Sequence, residues 1–144
     1  MKQFFLSAAL AMWSLCASAQ NDSTLFRGYF ENSEFNVYLR INFYRQNIVV
    51  PGQDYYGELP GYLGKVNNPF CWLFVSAKLK GTHEAHVSMI NDYGSEDLEA
   101  TLVCPNDSTL VLRQGAGSVL KVPRDRKWQK LPKSIEFRRV NGKH

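Results

Sequence analysis

The clearest pattern in the chain is an alternation of apolar and polar residues between positions 34 and 45. Its apolar positions are Phe35, Val37, Leu39, Ile41 and Phe43. Because successive side chains of a strand point to opposite faces, this alternation predicts a β-strand with one buried face. Further strand-like segments lie at 25–30, 47–50, 55–63, 70–79, 83–91, 98–104, 109–114, 118–122 and 135–140.

Short turn sequences rich in Gly, Pro, Asn and Asp separate these segments, as at Pro51-Gly52 and Asn67-Asn68. Beyond the amino-terminal stretch, no segment repeats apolar residues at helical spacing over three turns. Short connections favour antiparallel neighbours. We therefore predict an all-β fold, a small antiparallel β-barrel that is lipocalin-like in size, with a β-sandwich of about ten short strands as the alternative.

The segment 70–75 (FCWLFV) is apolar at every position. A strand that is apolar on both faces is covered on both sides, whereas a half-buried strand alternates. We expect this segment to lie at the centre of the core.

The amino end resembles a secretory signal peptide. Lys2 is followed by an apolar stretch over 4–15 and by the small residues Ala17-Ser18-Ala19, a pattern that predicts cleavage after Ala19. The apolar stretch is shorter than the roughly 20 residues that span a bilayer. The expected product is therefore an exported protein, periplasmic or extracellular, with residues 20–144 as one all-β domain and no transmembrane segment after cleavage.

Two cysteines, Cys71 and Cys104, remain after this cleavage. Exported proteins mature where disulfides persist, so a Cys71–Cys104 bond is a plausible prediction. Two separately packed thiols are the alternative, because sequence spacing does not show whether two side chains meet.

Charge is divided unevenly along the chain. Residues 20–112 carry 6 Lys or Arg and 11 Asp or Glu, whereas residues 113–144 carry 10 Lys or Arg and 2 Asp or Glu. A basic segment attracts anionic partners, and in an exported protein an acidic polysaccharide, an anionic lipid surface or an acidic protein fits better than nucleic acid. A solvated loop and strand face would carry the same charges without a partner.

Trp128 lies within this basic segment, near Lys127, Lys130 and Lys133. An aromatic ring among cations is typical of a contact surface, so we predict these four residues as candidate partner-binding residues. Alternatively, Trp128 plugs one end of the barrel. Pro123 and Pro132 bracket the segment, and we expect a long loop there with no strand.

The sequence carries no recognisable motif for catalysis, metal binding or a cofactor. His83 and His86 are three positions apart, which on a strand places them on opposite faces and prevents them from sharing a metal. We therefore favour a non-enzymatic binding protein.

Two functions remain open. The first is an exported protein that binds a small ligand in a barrel or cleft, because the chain is rich in aromatic residues and barrel mouths commonly form pockets. The alternative is an inhibitor or immunity-type protein that binds another exported protein. In size and class the chain is similar to lipocalin-like domains and to small exported inhibitors. A ligand site in the barrel would need an interior cavity, whereas an inhibitor would have a filled interior and an exposed patch or a protruding loop.

Overall fold

The computed structural model describes residues 24–142, in which eight strands form one closed antiparallel barrel. The predicted signal peptide, residues 1–19, lies outside the described residues. The strands in chain order are β1 (Arg27–Asn32), β2 (Val37–Asn42), β3 (Ile48–Val49), β4 (Glu58–Leu59), β5 (Gly61–Lys65), β6 (Asn68–Lys80), β7 (Glu84–Asn91), β8 (Asp97–Asn106), β9 (Thr109–Gly117), β10 (Lys121–Arg124), β11 (Lys127–Lys130) and β12 (Ser134–Arg139). The predicted barrel is confirmed, and the sandwich is not formed.

Neighbouring barrel strands follow one another along the chain, in the order β1, β2, β5, β6, β7, β8, β9 and β12. Pairing of β12 with β1 closes the barrel, with Phe30 opposite Arg139. Two short hairpins interrupt this up-and-down order. The β3–β4 hairpin lies between β2 and β5, and the β10–β11 hairpin lies between β9 and β12.

The barrel interior is filled by apolar side chains. Alternate residues of β2 and its continuation, Val37, Leu39, Ile41 and Phe43, are buried there, as their alternation predicts. The largest side chains with almost no exposed surface include Trp72, Phe26, Phe30, Phe74 and Phe137. These rings occupy the space in which a lipocalin-like barrel would hold a ligand.

Residues 70–74 of strand β6 are buried on both faces, as their sequence predicts. Trp72 and Phe74 point into the barrel. Cys71 and Leu73 point outward into a second buried cluster. That cluster is completed mainly by residues of the β3–β4 hairpin and its surroundings, including Ile48, Val50 and Leu59.

The predicted Cys71–Cys104 disulfide is not formed, and both cysteines are buried free thiols. Cys104 shares the inward face of β8 with Leu98 and Leu102, whereas Cys71 lies in the cluster outside the wall. The two side chains therefore lie on opposite surfaces of the barrel wall, which keeps their sulfur atoms apart.

The barrel has two ends, which the antiparallel order defines. The hairpin end contains the β1–β2, β5–β6 and β7–β8 turns and the β10–β11 hairpin. The arginine end contains residues 24–26, the β6–β7 and β8–β9 turns and residues 140–142. Between residues 24 and 142 there is no helix of the length and apolar character needed to cross a bilayer.

Candidate functional site

The basic segment forms a hairpin, which corrects the prediction of a loop without strands. Lys121 pairs with Lys130 and Pro123 pairs with Trp128. The turn residues Asp125 and Arg126 have φ angles of 52° and 67°, as in the tight turns that join two-stranded ribbons. A proline is tolerated because both strands of such a ribbon are edge strands.

A buried glutamine fixes this hairpin to the barrel. The Gln114 side-chain amide donates to the carbonyl oxygens of Leu131 and Pro132, and its oxygen accepts the Leu120 N–H at 2.7 Å. The Trp72 indole donates to the Lys121 carbonyl oxygen at 2.9 Å. These bonds hold both ends of the hairpin against the barrel, so it is an ordered element.

Trp128 does not plug the barrel. Its side chain is 51% exposed, whereas Leu120, Val122 and Leu131 are buried in the main core and close this end. The predicted plug therefore exists, but aliphatic residues of the same segment form it. Trp128 lies on the outer surface.

An aromatic cluster surrounds Trp128 on that surface. The ring centroid of Phe70 lies 5.0 Å from that of Trp128 and 6.3 Å from that of Tyr93. Phe70 is buried, and Tyr93 is 74% exposed. The Lys121 ammonium lies 5.7 Å from the centre of the Trp128 ring, a distance suited to a cation–π contact.

The hairpin places like charges opposite each other. Lys121 is opposite Lys130, and Arg124 is opposite Lys127. Directly opposed like charges destabilise a strand pair. Glu96 relieves part of this repulsion through an ion pair with Lys121, at 3.0 Å. The remaining positive charge has no evident benefit for folding.

The structure separates the predicted partner-binding residues over two faces of the hairpin. Strand alternation places Trp128 and Lys130 on the face that carries Lys121, and Lys127 on the other face. Lys133 follows the hairpin, just before β12. Within the described residues, Lys127, Lys130 and Lys133 are exposed and form no ion pair.

The β7–β8 turn beside this surface is held by Asn91. Its carboxamide oxygen accepts the N–H groups of Ser95 and Glu96. Asp92 has a buried carboxylate oxygen without a hydrogen-bond partner, and burial raises the pKa of this carboxyl group. In residues 24–142, no group of three His, Cys, Asp or Glu side chains is arranged to hold a metal ion.

Each cysteine lies towards a different end of the barrel. Burial, together with a smaller effect of the nearby Asp92 carboxylate, raises the pKa of Cys71 to about 11. Burial also raises the pKa of Cys104 to about 11, although the positive charge of Arg139 opposes this rise. At neutral pH both groups are therefore unreactive thiols.

Sequence reasoning missed the role of Arg139, which it grouped with the other cations of the last segment. Arg139 lies at the arginine end, where its guanidinium donates to the carbonyl oxygens of Thr24, Leu25, Arg27 and Asp107. The Phe30 ring lies 4.6 Å from the guanidinium carbon. These contacts tie the start of β1 to the end of β12 and to the β8–β9 turn.

A glycine provides the space for this guanidinium. Gly28 faces the interior opposite Ile41, and a side chain there would place its Cβ 2.6 Å from Arg139 Nη1. Its φ angle of 132° also disfavours any residue with a side chain. The signal that could have found this pair is weak, because Gly28 and Arg139 are adjacent only once the barrel closes.

Comparison of the chain with protein-family models, curated proteins and solved structures finds no match. The geometry described above is therefore the basis for the functional proposal.

Proposed function

We propose that this chain is an exported, non-enzymatic protein that binds another exported protein, an acidic one, through the hairpin end of its barrel. The observation that carries the proposal is an ordered basic hairpin with a half-exposed tryptophan, packed on the end of a barrel whose interior is filled. A filled interior and an exposed contact surface are the features expected of an inhibitor or immunity-type protein.

The composition of the surface supports a protein partner. Trp128 and Tyr93 are exposed on either side of the buried Phe70. Trp, Tyr and Arg are the residues that most often carry binding energy in protein interfaces. Lys130, which lies on the same face of the hairpin as Trp128, and the other exposed cations of this end speed association with an acidic partner and fix its orientation.

The rigidity of the hairpin supports the same proposal. Gln114 and Trp72 bind the backbone of the hairpin where it leaves the barrel. A preorganised element loses less conformational entropy on binding than a mobile loop does.

Site-specific crosslinking tests this proposal. A photoreactive amino acid replaces Trp128 in the chain as its cell of origin exports it. Leu79 is the matched control position, because it is also partly exposed but lies at the end of β6 near the arginine end. We expect one defined protein to be crosslinked from position 128 and none from position 79.

Charge reversal then tests the role of the cations. The triple variant Lys127→Glu, Lys130→Glu and Lys133→Glu should remove the crosslinked product, because it would repel an acidic partner. Lys78→Glu with Lys80→Glu is the control, since these exposed lysines lie at the other end. A product that survives the triple reversal, or crosslinks from both positions, would contradict the proposal. A co-purifying small molecule without a protein partner would favour the ligand-binding alternative.

A further inference from the structure

The second feature that points to binding is a surface cleft at the arginine end, of about 450 Å³. We call it the arginine cleft, because Arg27, Arg40 and Arg139 line it. Its other lining residues belong to strands β1 and β2 and to residues 47–48 and 140–142. A volume of this size is typical of sites for small organic ligands.

The cleft is strongly positive. None of its lining residues is acidic. Across the described residues, none of the three arginines forms an ion pair with a carboxylate. Tyr29, which also lines the cleft, already interacts with Glu31 through its hydroxyl group, and burial raises the pKa of Tyr29.

Arg139 supplies fixed charge. Its guanidinium is bound only by backbone carbonyl oxygens and by the face of Phe30, so its positive charge is held in place and is not neutralised. Few of its N–H groups remain free. Arg139 therefore attracts an anion into the cleft without needing to contact it.

Arg27 and Arg40 are available to contact the ligand. Arg27 lies opposite Asn42, and Arg40 lies opposite Tyr29, so the two arginines are diagonal neighbours on the outer face of β1 and β2. Diagonal neighbours lie roughly 7 to 8 Å apart, within reach of long side chains. Neither guanidinium forms a hydrogen bond within the described residues, unlike that of Arg139.

We propose that the arginine cleft binds a small organic molecule that carries an oxyanion, a carboxylate or a phosphate, held between Arg27 and Arg40. Planar guanidinium groups bind both oxyanions through paired hydrogen bonds. Ile48 and Val140 lie beside these arginines in the cleft and provide apolar contact for the rest of the molecule. This site is separate from the hairpin end, so the two proposals stand or fall independently.

Titration of the folded chain with benzoate, phenyl phosphate and neutral benzamide, followed by NMR, tests the site. We expect the two anions to shift the signals of Gly28, Asn47 and the Arg27 and Arg40 side chains, and benzamide to shift none of them. A preference for benzoate would identify carboxylates as the ligand class, and a preference for phenyl phosphate would identify phosphates.

The double variant Arg27→Gln and Arg40→Gln should weaken binding of the preferred anion at least tenfold. Both side chains are on the outer face, so the remaining spectrum should report an intact barrel. Arg124→Gln with Arg126→Gln, at the hairpin end, is the matched control and should leave the affinity unchanged. Equal weakening by the two double variants, tight binding of benzamide, or no shifts in the cleft would overturn the proposal.

Discussion

The two ends of the barrel both carry positive charge, but they hold it in different ways. At the hairpin end, the cations are exposed on both faces of the two-stranded ribbon that carries Trp128, and just after it. At the arginine end, Arg139 is enclosed by backbone carbonyl oxygens, and Arg27 and Arg40 line a concave cleft. An exposed charged surface with an aromatic anchor suits a large partner, whereas a charged cleft suits a small anion.

The difference also separates charge that stabilises the fold from charge that does not. Arg139 closes the barrel through four backbone acceptors. The hairpin instead tolerates Arg124 opposite Lys127, an arrangement that costs stability. Substitutions that disturb the contacts of Arg139 should therefore affect folding, and substitutions of exposed residues at the hairpin end should affect binding.

The largest expected effect comes from Gly28→Ala. The new Cβ would displace the Arg139 guanidinium, and the φ angle of 132° would be strained as well. We expect a loss of at least about 3 kcal/mol in the free energy of unfolding, from strain and from broken charged hydrogen bonds. Urea unfolding, monitored through the fluorescence of the buried Trp72, measures this loss of stability.

Gly81→Ala is the matched control for this substitution. Gly81 also has a positive φ angle, of 71°, but no atom lies within 4 Å of the position of an added Cβ. Its replacement should cost only about 1 kcal/mol, the backbone strain alone. Equal losses of unfolding free energy at the two positions would show that the contacts of Arg139 do not stabilise the closed barrel.

The next largest effect concerns the hairpin end, where the buried residues that close the barrel should contribute more to stability than the exposed residues of the proposed binding surface. Leu131→Ala should lower the free energy of unfolding by about 3 kcal/mol, because it leaves a cavity in the core. Trp128→Ala should cost about 1 kcal/mol or less, because half of that side chain is exposed. Thermal or urea unfolding of the two variants gives the ranking. The reverse ranking would restore Trp128 as the plug.

The strands could be predicted because burial of one face leaves a period of two in the sequence. Val37, Leu39 and Ile41 are buried on the face that their alternation predicts. Strand β11 was missed because both of its faces are largely exposed. Its sequence therefore lacks the alternation of apolar and polar residues and is rich in cations instead. Pro123 also suggested a loop, although a two-stranded ribbon accommodates it.

The sites were harder to predict, because barrel closure creates them. The Arg139 guanidinium reaches the carbonyl oxygen of a residue 112 positions away, and no local pattern records this contact. The disulfide prediction failed for a related reason. Residues 70–75 are apolar on both faces, so the sequence does not show whether Cys71 or Trp72 points inward.

The smallest expected effect is a loss of stability at high pH, to which each end of the barrel contributes one thiol. Folding raises the pKa of Cys71 and of Cys104 from 9.0 to about 11. The folded state thus keeps protons that the unfolded state releases, so this stabilisation is complete below pH 9 and is lost between pH 9 and 11. Ionisation of each thiol in the unfolded state should lower the free energy of unfolding by about 1.4 kcal/mol at pH 10.

Urea unfolding at pH 7 and pH 10, with and without a reductant, tests this expectation. Between the two pH values, the free energy of unfolding of Cys71→Ala and of Cys104→Ala should each fall by about 1.4 kcal/mol less than that of the parent chain, because each variant has one ionisable thiol fewer. Tyr29 and Tyr38 also have raised pKa values. They contribute equally in the parent chain and in Cys104→Ala, whereas Cys71→Ala also removes the smallest of the effects that raise the pKa of Tyr38, the charge of Cys71. The reductant should make no difference, since the two thiols lie on opposite surfaces of the wall. If removing the reductant abolished the loss of stability between pH 7 and pH 10 in the parent chain but not in the two variants, Cys71 and Cys104 would be bonded. The two thiols would then not lie on opposite surfaces of the wall.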